Sequence, residues 1–344
     1  MEDSMSSAVI FPAQPEQILK GLGKLWTSLG QEEKQQGKPT VLRACAMTLI
    51  VATDEPDGGF SASQTMSELM REHPSRGIVL AVSDKAEHGL EARVLAQCWK
   101  PFGKAQQICC EQIEITARSE NWPHVGPTLI GLTAADLPVI FWCRHKAALS
   151  AGATDSQRAG LQAIINLSTK LIIDTQGDDA ATAFDLLRRL STRGRAVADL
   201  EWTRLTPWRE PIAQIFDNPA RDNRFSHFHT VEIAHAEDKP SPAALYVAGW
   251  LAAPHGAVVS FVRAEGHGPG ICRITLHSGS ERIDFERTGA ECMHLHSTTG
   301  LERSYSYAEL GAYTLMNEEL SVLGPDPSFN AAFTRAQELL NEQR

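Results

Sequence analysis

The sequence predicts an α/β protein of two α/β domains, each with a mixed sheet flanked by helices. Apolar runs of strand length, such as 41–52 and 137–142, alternate with segments whose apolar residues recur at three- and four-residue spacing. Strand–helix–strand order of this kind implies parallel pairing with right-handed crossovers. The length of 344 residues accommodates about two domains at roughly 100–200 residues each. Residues 1–40 read as an N-terminal helical segment, 41–150 as an N-terminal α/β domain and 151–344 as a C-terminal α/β domain, with the small-residue stretch 147–155 as the linker between them.

The elements follow in order. Leu19, Leu22, Leu25, Trp26 and Leu29 mark one helix over 14–36, broken by Gly37-Lys38-Pro39. The run 41–52 reads as a buried strand, stopped by the turn cluster Asp54-Glu55-Pro56-Asp57-Gly58-Gly59. Ser61 or Ser63 caps a helix to Arg71 with Met66, Leu69 and Met70 on its buried stripe, and the next strand covers 77–82. Residues 90–99 and 108–117 read as a hairpin around the Lys100–Lys104 loop. A Pro/Gly-rich stretch at 123–131 precedes the strand at 137–142. A helix over 156–168, a strand at 171–174, a helix from Asp178-Asp179 to Leu190 and a helix opened by Thr206-Pro207 come next; carboxylates suit a helix start and Pro its first turn. Strands are expected at 229–236, 257–264, 271–277 and 281–287, with a short helix at 246–252 and closing helices at 307–320 and 328–342.

Composition excludes several classes. Thirty-two Lys and Arg against forty-two Asp and Glu give a net charge of −10, which disfavours a nucleic-acid-coating surface. No apolar run approaches the roughly 18 residues that span a bilayer. Glu2 and Asp3 stand where a signal peptide carries positive charge, so a cytoplasmic chain is expected. The one Gly-rich cluster, Glu265–Gly270, lacks phosphate-loop spacing and lies between strands, so no nucleotide or other cofactor is expected. Nucleophile-elbow and zincin motifs are absent, and Asp174, Asp178, Asp179, Asp199 and Glu201, which lie near element ends where ligands gather in α/β folds, read as caps and turn residues in preference to catalytic acids.

Three patterns remain. Cys292, His294 and His296 would share one face of a strand and, with His227 or His229, could begin a zinc site; exposed or hydrogen-bonded histidines are the plainer reading, and no metal is expected. A hairpin symmetric about Gly103/Lys104 sets Cys98 opposite Cys109, either as a redox pair or as buried packing. Between Asp199 and Glu210, Trp202, Arg204, Trp208 and Arg209 crowd a helix start. Trp and Arg dominate interface hot spots, so these four are candidate partner-binding residues; the alternative is a core segment whose arginines pair with Glu201 and Glu210.

Taken in order, several stretches resemble the OpcA family, the glucose-6-phosphate dehydrogenase assembly proteins. They are Leu42-Arg43-Ala44-Cys45 on to Val51, His73-Pro74-Ser75-Arg76, Cys109-Cys110-Glu111-Gln112-Ile113, Asp136-Leu137-Pro138 on to Trp142, Asp199-Leu200-Glu201-Trp202-Thr203-Arg204 with Trp208-Arg209, and Ala248-Gly249-Trp250-Leu251. The resemblance implies a non-enzymatic protein that binds the dehydrogenase, promotes its active oligomer and raises its activity in the oxidative pentose phosphate pathway. It further implies thioredoxin-dependent control through cysteines in photosynthetic members, without fixing a pair on Cys98, Cys109 or Cys110. The competing expectation is a metal-dependent hydrolase using Cys292, His294, His296 and His229.

Overall fold

The computed structural model describes residues 10–35, 41–55, 57–84, 89–101, 106–134, 136–191, 195–216, 228–254, 256–265 and 268–343. Two compact units divide the chain: Met1–Ile173 with Arg193–Ala196, and Asp174–Thr192 with Val197–Arg344. The division falls at Ile173/Asp174, not at 150/151, so residues 151–173 stay with the N-terminal unit. The stretch 147–155 is no linker: it holds the end of one helix and the start of the next.

The first unit runs β1 (Ile10–Pro12), α1 (Pro15–Gln35), β2 (Leu42–Arg43), β3 (Met47–Thr53), α2 (Phe60–Leu69), β4 (Ser75–Val82), β5 (Glu91–Trp99), β6 (Ile108–Ala117), α3 (Trp122–Ile130), β7 (Val139–Arg144), α4 (Lys146–Leu149), α5 (Asp155–Leu167) and β8 (Lys170–Ile173). Its strands lie in the order β1-β5-β6-β4-β3-β7-β8. From β6 to β8 every pairing is parallel, whereas β5 joins β6 antiparallel as a hairpin. Every residue of β3 is buried, as expected of a central parallel strand covered on both faces.

Two expectations change here. The run 41–52 is interrupted at 44–46, because β2 pairs with β6 while β3 pairs with β4 and β7. The Pro/Gly-rich stretch is helix α3. Pro123 sits in its first turn, where a missing N–H costs nothing, and the N–H that Pro127 lacks would have reached only back to that turn. Gly126 is required by packing, since an added Cβ would come within 2.6 Å of Ala163 Cβ on α5. The hairpin tip, 102–105, and the 37–39 breaker lie outside the described residues.

The second unit carries α6 (Ala180–Leu190), the end of β9 (Ala196–Asp199), α7 (Leu200–Thr203), α8 (Thr206–Phe216), β10 (Thr230–His235), α9 (Pro242–Ala252), β11 (Val258–Arg263), β12 (Ile271–Ser278), β13 (Glu281–Arg287), β14 (Cys292–Ser297), β15 (Glu302–Ser306), α10 (Ala312–Leu320) and α11 (Pro327–Glu342). Its sheet has the order β11-β10-β12-β13-β14-β15, with only β10 and β11 parallel. Alternation sorts the strands. Ile233, Ile274, Phe285 and Leu295 form a buried row, and Glu232, Thr275, Asp284 and His296 line the other face. Helix α9 packs on α11 so closely that a Cβ on Gly249 would stand 2.4 Å from Ala332 O. Tyr246, Trp202, Phe184, Phe329 and Phe333 form one aromatic cluster around these helices.

Candidate functional site

The order β6-β4-β3-β7-β8 is the three-two-one-four-five arrangement of a doubly wound sheet, whose ligand crevice opens at the carboxyl ends of the two central strands. In this chain those ends are Thr53 and Arg144, directly opposite in the β3–β7 register. A dinucleotide would set its pyrophosphate at the N-terminus of the helix after β3. Here the chain's own carboxylates stand there. Asp57 accepts from the amides of Gly59 and Ser61, each at 2.9 Å, at the start of α2. These bonds, that to Ser61 foremost, hold its carboxyl below the usual range. Glu55 pairs with Arg144 and accepts from Ser61 Oγ, while Asp54 accepts from Ala147 N at 3.2 Å. Gly59 has φ 86°, a left-handed conformation, and its Cβ position lies 3.2 Å from Ala81 Cβ, so this turn needs glycine. The turn cluster was legible in the sequence; that Asp57 accepts from the first amides of α2 at the switch point was not.

At the opposite end of the sheet, near the start of β6, Cys98 lies opposite Cys109 in the β5–β6 ladder and the two are joined by a disulfide, Cα–Cα 4.1 Å. Two residues on, buried Glu111 gathers Arg43 Nη2 at 2.8 Å, Trp26 Nε1 at 3.0 Å and Arg76. A single carboxylate thereby ties α1, β2 and β4 to β6.

In the second unit the segment from Asp199 to Glu210 is core, which corrects the expectation of an exposed anchor. Trp202 and Trp208 are 3% and 1% exposed. Trp202 donates from Nε1 to Asp326 Oδ2 at 3.1 Å, and Trp208 from Nε1 to the Tyr307 hydroxyl at 3.2 Å. Arg204 forks onto Asp174 at 2.9 and 3.1 Å and also pairs with Glu201. Arg209 donates to Thr206 Oγ1 at 2.8 Å and lies 3.7 Å from Glu318, not beside Glu210. The residues that interface chemistry favours are thus used to bind the C-terminal helices.

The acids expected near element ends have structural partners. Asp179 caps α6 through the amides of Ala181 and Thr182. Asp199 is fully buried and accepts from Thr175 N and Oγ1, Glu201 N and the Tyr246 hydroxyl at 2.6–3.1 Å. Burial raises its carboxyl to about 6 and that of Glu201 to about 7. Glu201, Arg204 and Trp208 line a cavity of about 1090 Å³ together with Arg287 and Tyr307.

Cys292, His294 and His296 do share a face of β14, but they build no metal centre. His296 faces Asp284 at 3.2 Å, and no group of three His, Cys, Asp or Glu side chains among the described residues is placed to hold an ion. His229 precedes β10, three strand spacings from β14, or roughly 14 Å at about 4.8 Å per spacing. His227 lies outside the described residues.

Comparison with known proteins now bears on this geometry. The family model described as glucose-6-phosphate dehydrogenase subunit N-terminal domain matches residues 66–191, and its C-terminal counterpart matches 195–333. The chain belongs to the OpcA family. OpcA of Synechocystis sp. (strain ATCC 27184 / PCC 6803 / Kazusa), named as an OxPP cycle protein, is 25% identical over 246 residues, 68% of this chain and 49% of that protein. OpcA of Nostoc punctiforme is 29% identical over 191 residues, 54% of this chain and 38% of its own. OpcA of Synechococcus elongatus is 23% identical over 306 residues, 81% of this chain and 66% of its own. The chain therefore spans between 38% and 66% of the length of these OpcA relatives. Among solved structures, the oxidoreductase YvaA of Bacillus subtilis aligns over 87% of this chain and 98% of its own at 8% identity, with a TM-score of 0.43. An inositol dehydrogenase homologue of Azotobacter vinelandii aligns over 89% and 88% at 9% identity and a TM-score of 0.36. No helix among the described residues of this OpcA chain is long and apolar enough to cross a membrane.

Proposed function

We propose that the chain is a non-catalytic cytoplasmic partner of glucose-6-phosphate dehydrogenase that binds the enzyme and promotes its active oligomer in the oxidative pentose phosphate pathway. The observation that carries this reading is the pair of family models, each described as part of a glucose-6-phosphate dehydrogenase subunit, which together run from residue 66 to 333. The carboxyl ends of β3 and β7 support it, because Asp57 already accepts from the amides at the start of α2, where the pyrophosphate of a dinucleotide would be held. Thioredoxin, on this reading, reduces the Cys98–Cys109 bridge. With Trp202 and Trp208 buried, the contact is placed at the mouth of the cavity that Arg204 and Trp208 line, where Arg287 packs over Tyr307 at 5.7 Å.

Mixing the purified chain with its cognate dehydrogenase and measuring elution volume and initial rate tests the reading. An earlier-eluting complex with a raised rate, and no nucleotide reduction by the chain alone, is expected. Unchanged elution and rates overturn it. Arg287→Glu is expected to weaken the complex, since a charge at an interface rim acts mainly on association; its melting temperature is measured alongside, because half-buried Arg287 also donates to the Gly268 and Pro269 carbonyls.

A further inference from the structure

The Cys-x-His-x-His stretch on β14 has no part in the function above, yet its geometry is specific. Cys292 Sγ lies 3.3 Å from His294 Nε2, and His294 Nδ1 lies 3.1 Å from Ser304 Oγ on β15. The register dictates the second contact: His294 is directly opposite Ser304, and cross-strand neighbours share a face. With its proton on Nδ1, the ring donates to Ser304 and turns a free lone pair toward the thiol. Nucleophile, base and a group that orients the base therefore stand in line.

Exposure and a basic neighbour together distinguish this sulfur from the rest. Cys110, Cys143 and Cys272 are buried, and burial pushes the Cys110 thiol up to about 11 and that of Cys143 up to about 12. Cys98 and Cys109 are already paired. Cys45, the other half-buried free thiol, faces a carbonyl, Met47 O at 3.4 Å, which accepts a hydrogen bond but does not take the proton.

We propose that Cys292 is a reactive thiol, activated by His294, that forms a mixed disulfide with small disulfides of the oxidised-glutathione class. His294 Nε2 takes the Sγ proton, and the thiolate attacks one sulfur of the small disulfide. The disulfide's own S–S bond breaks as the Cys292–S bond forms, and the departing thiolate recovers the proton from the ring. Cys292 is oxidised, the released half is reduced to a thiol, and no other oxidant takes part.

The test uses the full chain with its Cys98–Cys109 bridge intact, oxidised glutathione and dithiodipyridine as probes, and peptide mass spectrometry to read each site. An unassisted thiol is only a few per cent thiolate at neutral pH, so Cys292 should react at least about tenfold faster than Cys45. His294→Ala and the size-conserving His294→Gln should each slow Cys292 by about tenfold, with the Cys45 rate and the melting temperature unchanged as internal controls. Equal rates at Cys292 and Cys45 in the wild type, or a wild-type rate at Cys292 in either variant, overturn the proposal.

Discussion

The guanidinium of Arg209 lies over the ring of Trp202, its carbon 3.9 Å from the ring centroid. The cation covers a tryptophan whose indole N–H is already committed to Asp326, the cap of α11. Arg209 is therefore a structural residue. A desolvated cation–π pair contributes about 1–2 kcal/mol, and at about 2–4 °C per kcal/mol Arg209→Ala should lower Tm by several degrees. Trp202→Ala should cost more, about 3–5 kcal/mol, because it also leaves a cavity in the aromatic cluster. Thermal denaturation of both variants, read by circular dichroism, checks the order.

Gly249→Ala sets two effects against each other. Helix propensity favours alanine by about 1 kcal/mol, whereas overpacking costs about 1–3 kcal/mol. The clash decides the sign: the new carbon would sit 2.4 Å from a backbone oxygen of α11, which a rotamer change does not relieve. The variant should unfold at lower denaturant concentration than the wild type, and an unchanged midpoint would show that α9 and α11 can separate cheaply.

The hairpin bridge closes a loop of about a dozen residues, which corresponds to roughly 3 kcal/mol of chain entropy in the unfolded state. Reduction, or a Cys98→Ser/Cys109→Ser double variant, should lower Tm by a similar amount in either case. Thiol counting by mass spectrometry before and after reductant should show two further labelled cysteines, at 98 and 109. Labelled after denaturation, with no small disulfide added, five thiols before reduction and seven after it are the expected totals.

Asp199 and Glu201 make stability pH-dependent. Burial sets their folded values, about 6 and about 7, above the unfolded ones, so the folded state holds their protons more tightly. Their contribution is complete at low pH and is lost as pH rises from about 4 through 7. His145 and His235, kept neutral by burial, act in the opposite sense and lose stability as pH falls below about 6.5. Comparison with Glu201→Gln cancels the histidines. Relative to that variant, the wild type should lose at least about 3 °C of Tm between pH 5 and pH 8.

Much of the fold was legible because its elements obey a single period. Leu161, Ile164 and Ile165 mark α5 by spacing alone, and the hairpin arithmetic sets Cys98 opposite Cys109 before any coordinates. What escaped was short or locally contradictory: β15 is Glu-Arg-Ser-Tyr-Ser, with no apolar alternation, and α3 contains an internal proline. The site was harder to read for a different reason. Trp202 and Arg209 appear in sequence as donors without acceptors, and their partners, Asp326 and Glu318, arrive over a hundred residues later. Likewise Glu55 gains its meaning only when β7 brings Arg144 alongside.

The self-supplied carboxylate at the start of α2 has a consequence for stability. A dehydrogenase that binds a dinucleotide is stabilised by an amount that rises with the logarithm of free ligand, so its folded fraction follows cofactor supply. Asp57 is present at one per chain at all times, and its hydrogen bonds to Gly59 and Ser61 need nothing from solution. The contribution of these two bonds to the folded fraction should then stay level whatever the supply of small anions in solution.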